Sequence, residues 1–398
     1  MNTRRQLAIL YAISWVTDFA GILLIFTISR ELAQGGAGLL KMGLVGGGWS
    51  FVQAVCSFVS GHLSDRIGRR RTVLGGMLFL LAASAGCLIL PADTPGSFAA
   101  YFAGGVSIGV VFPPVIAWIN RGHEADPRSR GISRNMLLFC LSWNLGVVSA
   151  QASGGWLFPI GRAWPLGLAV GLAAVNVVLL LLTGRRTTRP APARQRPAAE
   201  PRPAERGIAR AFTAMGWIAN LGGAFSASMI LHLFPKLAVE LGVPPEQHGT
   251  TLATMRVVAV AAFLSMHFSR FWQYRFWPSL AVQLAAVAGL LVLVLADSLA
   301  ALTAGLMGIG LLLGYNYFSS IFYSNAGGGD ERRGFASGMH EATLGLGGGA
   351  GALLGGLVGQ AAGPRAPYLL AVGLVAVLIV AQAGVYLRRV RPLRRLPR

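Results

Sequence analysis

The chain has 398 residues, of which 54% are hydrophobic and 12% charged, with a formal net charge of +20 and a mean hydropathy of +0.60. That balance lies outside the usual soluble range, and the apolar residues fall in blocks of roughly twenty, enough helix to cross about 30 Å of hydrocarbon. The charge does not describe a nucleic-acid binder: 28 of the 34 Lys and Arg fall on loops of one side, 5 on the other, and Arg256 lies inside an apolar block, a positive-inside pattern with both termini cytoplasmic rather than a basic face for phosphate.

Hydropathy and loop charge predict an all-α membrane protein of twelve spans. The first six lie at 7–29, 41–63, 72–91, 97–119, 135–158 and 163–183. The next six lie at 211–234, 249–269, 277–296, 299–323, 335–361 and 366–387. Residues 1–183 thus form an N-terminal six-helix bundle, 184–210 a cytoplasmic linker rich in Pro, Ala and Arg, and 211–398 a second bundle with a basic tail.

Along the chain, Arg4 and Arg5 precede an apolar run that continues without a small-residue cleavage site, so it reads as a retained first helix rather than a signal peptide. At its centre stands Asp18. An acid inside a span is costly and rare, hence a functional candidate, and hydrocarbon penalises its charged form, which suits it to exchange a proton. Its plainer alternative is a structural acid paired within the bundle. Cys56, Cys87 and Cys140 all lie in apolar blocks at no metal-ligand spacing and read as small buried residues. Asn144 and Gln151 in the fifth span, and Trp217 and Asn220 in the seventh, offer polar handles to a solute pathway or serve equally as helix–helix hydrogen bonds. His232 closes the seventh span. Arg256, inside the eighth, can pair with a buried acid or receive an anionic group on a solute.

The tenth span carries GYNYFSSIFYSN, where Tyr315, Asn316 and Tyr317 combine aromatic faces with polar tips, a surface for a sugar-like or aromatic solute or for an interfacial belt. Glu341, the second acid inside a span, lies in the eleventh beside His340, which can shuttle protons or sit as a satisfied bundle histidine. The glycines of GLGGGAGALLGG in the same span allow close helix packing suited to rocking.

The halves repeat one another. Arg130-Gly131 opens the fifth span as Arg333-Gly334 opens the eleventh; Gly154-Gly155 and Gly355-Gly356 close them; His62-Leu63-Ser64 and His267-Phe268-Ser269 follow the second and eighth. Two six-helix repeats related by an axis along the membrane normal place a solute site between them near the midplane.

The loop after the second span reads GHLSDRIGRRR, Gly61 to Arg71. It resembles the signature loop of the major facilitator superfamily, G-x-L-x-D-R-x-G-R-R-R, at Gly61, Leu63, Asp65, Arg66, Gly68, Arg69, Arg70 and Arg71. The resemblance extends over the twelve spans and the central linker, and it implies two pseudo-symmetric six-helix bundles working by alternating access. It also implies that this loop gates the cytoplasmic side, with Asp65 facing the start of the eleventh span near Gly334 and the arginines meeting lipid phosphates and carboxylates. Three departures stand out. The second-half loop, HFSRFWQYRFW, keeps only His267, Ser269 and Arg275 of the pattern. The antiporter motif of the fifth span has Ala150 and Gln151 where a glycine and a proline are usual. Tyr101-Phe102-Ala103-Gly104 replaces the fourth-span arginine of many drug exporters.

Without a P-loop, nucleophile elbow or metal-binding spacing, neither an enzyme nor a cofactor is expected. The expectation is a secondary active transporter in a bacterial inner membrane, a monomer whose partners are a small solute, protons and lipids. Its proton coupling is expected at Asp18, Glu341 or His340, working as an efflux antiporter or as an uptake symporter for a polar or anionic metabolite. A non-transporting sensor or lipid-handling protein is the alternative of another class.

Overall fold

The computed structural model describes residues 4–119, 130–183, 203–327 and 333–395. The linker stretch 184–202 lies outside them. Among the described residues there is no strand. The N-terminal half comprises α1 (Arg4–Gln34), α2 (Leu39–Ile67), α3 (Arg69–Ile89), α4 (Pro95–Ile119), α5 (Arg130–Leu157) and α6 (Ala163–Leu181). The C-terminal half comprises α7 (Pro203–His232), the short α8 (Phe234–Glu240), α9 (Pro245–Phe268), α10 (Phe276–Leu295), α11 (Leu299–Gly327), α12 (Arg333–Ala362) and α13 (Ala366–Val385). A π-helical turn, Tyr386–Val390, leads from α13 to α14 (Arg391–Arg394). Twelve of the helices are long and apolar enough to span a membrane, and the protein is a multi-pass membrane protein. Large apolar side chains on the outer faces, Phe58, Trp156, Trp164, Phe268 and Val380 among them, are exposed and suited to lipid.

Three boundaries differ from the sequence reading, each for a local reason. Helix α1 runs on to Gln34 because nothing breaks it before Gly35-Gly36, although Arg30 and Glu31 end the apolar run. Helix α7 begins at Pro203, inside the stretch read as linker, where a proline at the first helical position and Glu205 in the first turn both favour a helix start. Leu233-Phe234-Pro235 restarts the chain as α8 instead of continuing α7.

Within the N-terminal half, α1 packs on α5 and α6, and α4 on α2 and α3; within the other, α7 packs on α11, α12 and α13, and α11 on α9 and α10. The halves meet along two seams, α2 with α12 and α5 with α9. Glycines set the spacing of both. A Cβ on Gly43 would lie 2.8 Å from the Cα of Gly356, and one on Gly155 would lie 3.1 Å from the Cα of Gly249, so any side chain there forces the helices apart. The end of the bundle away from the termini is called distal below. The apolar core falls in two clusters, one toward the termini around Leu10, Ile13, Phe139 and Phe263, the other distal around Leu23, Leu24, Met42 and Phe234.

Candidate functional site

Where the two clusters approach each other, the two halves line a cavity of about 150 Å³. Asp18 of α1 enters it from the N-terminal half and Arg256 of α9 from the other. Both are buried, at 8% and 5% exposure, and they interact electrostatically. Gly146 of α5 lies against Asp18: a Cβ there would come within 3.2 Å of the Asp18 Cβ, and its absence lets α1 carry the acid to the cavity wall. The rest of the wall is mixed. Trp49, Ser50 and Gln53 of α2 and Trp143 of α5 face Ser228 and His232 of α7 and Tyr317 of α11, above an apolar lining that includes Ile22, Ile25, Ile108 and Leu344. The His232 Nδ1 and the Arg256 Nε have no hydrogen-bond partner among the described residues.

A second chamber of about 90 Å³ shares Asp18, Gln53, Ile108, Trp143, Tyr317 and Leu344 with the first and adds Glu341 of α12. The structure therefore brings Asp18, Arg256 and Glu341 to adjoining chambers between the halves. His340 is fully buried beside them. Its Nδ1 is 2.9 Å from the Ser320 Oγ, its Nε2 is 3.9 Å from the Glu341 carboxylate, and the Tyr317 ring stands edge-on to it at 4.9 Å. Tyr317 in turn meets Trp143 across the halves, with ring centroids 5.1 Å apart.

The remaining sequence candidates face helix neighbours rather than either chamber. Asn144 donates to the Cys140 carbonyl of its own helix. Asn220 donates to the His340 carbonyl and to the Thr343 hydroxyl, Asn316 to the Ala219 carbonyl, and Trp217 to the Ser324 hydroxyl. Tyr315 packs edge-on to Trp272. Gln151 and His248 line a crevice distal to the cavity. Sequence reasoning missed Trp49, Gln53 and Trp143, single residues in apolar helices that carry no signal of which face turns inward.

The cavity is shut toward the distal end. Arg30 of α1, 3% exposed, donates from Nη2 to the Val243 carbonyl of the other half at 2.8 Å, and Phe26 stacks on His248 at 5.1 Å. At the opposite end lies the signature loop. Gly68 joins α2 to α3 with φ +94° and ψ 138°, and its N–H closes α2 on the Ser64 carbonyl at 3.0 Å. Arg69 donates to the Ala117 carbonyl of α4 at 2.7 Å, while Arg66 and Arg71 are exposed. The Arg70 Nε is buried without a partner among the described residues. Gly61 has open space where a Cβ would stand. The side chain of Asp65, and those at the start of α12 that it is expected to face, lie outside the described residues. No cluster of metal-ligating side chains occurs among the described residues.

The sequence profile described as Major Facilitator Superfamily matches residues 7–329. No curated protein sequence matches the chain. Among solved structures, it is similar to the POT family transporter PepTSo, with a TM-score of 0.77 at 11% identity over 100% of each chain. It is similar also to the human organic anion transporter MFSD10 (TETRAN), with a TM-score of 0.68 at 16% identity, covering 95% of this chain and 99% of that one. The nucleoside transporter NupG, in a mutant form, gives 0.68 at 14% identity over 96% and 100%. At these identities the likeness is one of fold.

Proposed function

The chain belongs to the major facilitator superfamily, a family of membrane transporters, and from that premise we propose that it is a secondary active transporter coupling a small solute to a proton at Asp18. The observation that carries the proposal is the placement of Asp18 and Arg256, one from each half, on the lining of one cavity. A carboxylate facing a guanidinium in a low-dielectric site has two stable arrangements. Ionised, it holds the halves together through Arg256; protonated, it releases the arginine and lets the halves rock. Glu341 adjoins the second chamber and serves as the relay for that proton, with His340 positioning it.

Alternation then needs a barrier at each end. The distal barrier is the Arg30 bond to Val243 and the Phe26–His248 stack, with the glycine seams; the barrier proposed at the termini is the signature loop, whose Asp65 the family resemblance pairs with the start of the eleventh span. The excess of basic residues on the loops of one side supports a bacterial inner membrane with both termini cytoplasmic, and one chain lines the whole site, so a monomer suffices.

The test is solute-evoked current from proteoliposomes on a solid-supported membrane, screening solute classes under an imposed pH gradient. A current in the wild type that Asp18→Asn abolishes while solute binding persists is the expected result. Equal currents in both would remove Asp18 from coupling, and silence across the panel would favour a sensor or lipid-handling role.

A further inference from the structure

Resting on the transporter reading of the same cavity, we infer that the solute is a monoanion built on a single aromatic ring, its acidic group held by Arg256 and its ring by Trp49, Trp143 and Tyr317. The argument starts from the arginine. A guanidinium stays charged at any physiological pH, so at 5% exposure Arg256 is costly to leave without a negative partner or an acceptor. In this structure the charge that acts on it is Asp18. The other titratable groups nearby are His232 and Tyr317, on the wall of the same chamber, and Glu341, in the adjoining chamber beside His340. When Asp18 takes up a proton, the main chamber holds a fixed cation whose Nε has no acceptor among the described residues. A planar acid group can meet that fork with two parallel hydrogen bonds. A cationic solute would instead have to displace a guanidinium that cannot lose its charge.

The walls decide the body of the solute. Tryptophan and tyrosine rings favour stacked or edge-on aromatic partners. Trp143 and Tyr317 already meet this way at 5.1 Å across the halves, and Trp49 is held in place by Tyr101 at 4.7 Å. A cavity of about 150 Å³ is the size that accepts one benzene ring, and the adjoining chamber adds room for a short substituent.

The experiment is titration calorimetry on the full chain in detergent, with tryptophan fluorescence as a second readout. The probes are benzoate, benzenesulfonate, benzyl alcohol, benzyltrimethylammonium and 9-anthracenecarboxylate. Benzoate and benzenesulfonate should bind, and the alcohol, the ammonium and the fused three-ring acid should each bind at least about tenfold more weakly, the loss expected when a charge-assisted pair or the fit is missing. Arg256→Gln should weaken benzoate by about tenfold or more, and Arg256→Lys by less, because charge survives without the fork. Asp18→Asn keeps the guanidinium and removes its competitor, so benzoate should bind about tenfold tighter, which keeps the test decisive if Arg256→Gln fails to fold. Preference for the ammonium probe, no binding of any probe, or benzoate affinity unmoved by Asp18→Asn would overturn the assignment. Because the titration involves no transport, its failure leaves the transport reading to be judged by the currents.

Discussion

Two loops that the internal repeat makes equivalent, residues 61–71 and 267–277, turn the chain in contrasting ways. The first turns at Gly68, with open space where a Cβ would stand, and is tied to the bundle by Arg69 on the Ala117 carbonyl. The second turns at Tyr274, a non-glycine residue with φ +55°, around Trp272, which is 1% exposed. The Trp272 indole donates to the Met266 and Ser269 carbonyls at 2.8 and 2.9 Å, and its ring lies 5.0 and 5.8 Å from those of Phe322 and Tyr323. Tyr323 accepts the Tyr274 N–H at 2.9 Å, and Arg394 reaches the Tyr274 carbonyl from α14. One loop turns on a glycine with open space around it, the other is plugged with aromatic rings. The lesson is that two copies of a duplicated loop can close the same turn by different means, one on a glycine and one around packed aromatic rings.

Three substitutions test that contrast, and the largest effect is expected at the plug. Trp272→Ala removes a fully packed ring and two hydrogen bonds and should cost about 3–5 kcal/mol, read as a lowered unfolding midpoint in detergent; a cost under about 1 kcal/mol would mean that packed rings do not hold the second turn. At the first turn, Gly68→Ala meets no steric neighbour, so its whole effect is backbone strain in a region that glycine favours, about 1–3 kcal/mol. Unchanged stability in that variant would show the turn relaxing to ordinary dihedrals. The smallest change is Arg69→Gln, which loses the bond to Ala117 and should cost about 1 kcal/mol while slowing solute-evoked current by more than the stability change accounts for. Current unchanged in Arg69→Gln would reduce that arginine to a topology signal.

The spans were legible because lipid demands long apolar blocks and loops carry the charge, so their number and rough limits follow from residue order alone. The ends were less so. Arg30 looked like the first residue of a loop because it is charged, yet its helix continues and it is buried against the other half. Within the site, Asp18, Arg256 and Glu341 could be picked out because ionised side chains in apolar blocks are scarce, and the structure gathers them. Asn144 and Asn220 were read as either pathway residues or helix bonds, and Asn316 as a polar handle for a solute; in this structure their side-chain amides donate to backbone carbonyls or a hydroxyl of helix residues. Trp49, Gln53 and Trp143 stayed hidden because a helix packed on several sides shows no single polar stripe, and only tertiary packing decides which residue meets the cavity.

The Arg30 contact has an evolutionary consequence. Its acceptor is the main-chain oxygen of Val243, which every amino acid supplies, so drift at position 243 leaves the bond in place while the loss of a donor at position 30 removes it. Unlike an ion pair, this tie cannot be inherited in reverse by exchanging two charges. A lineage that loses the arginine keeps only the Phe26–His248 stack and the glycine seams at that end.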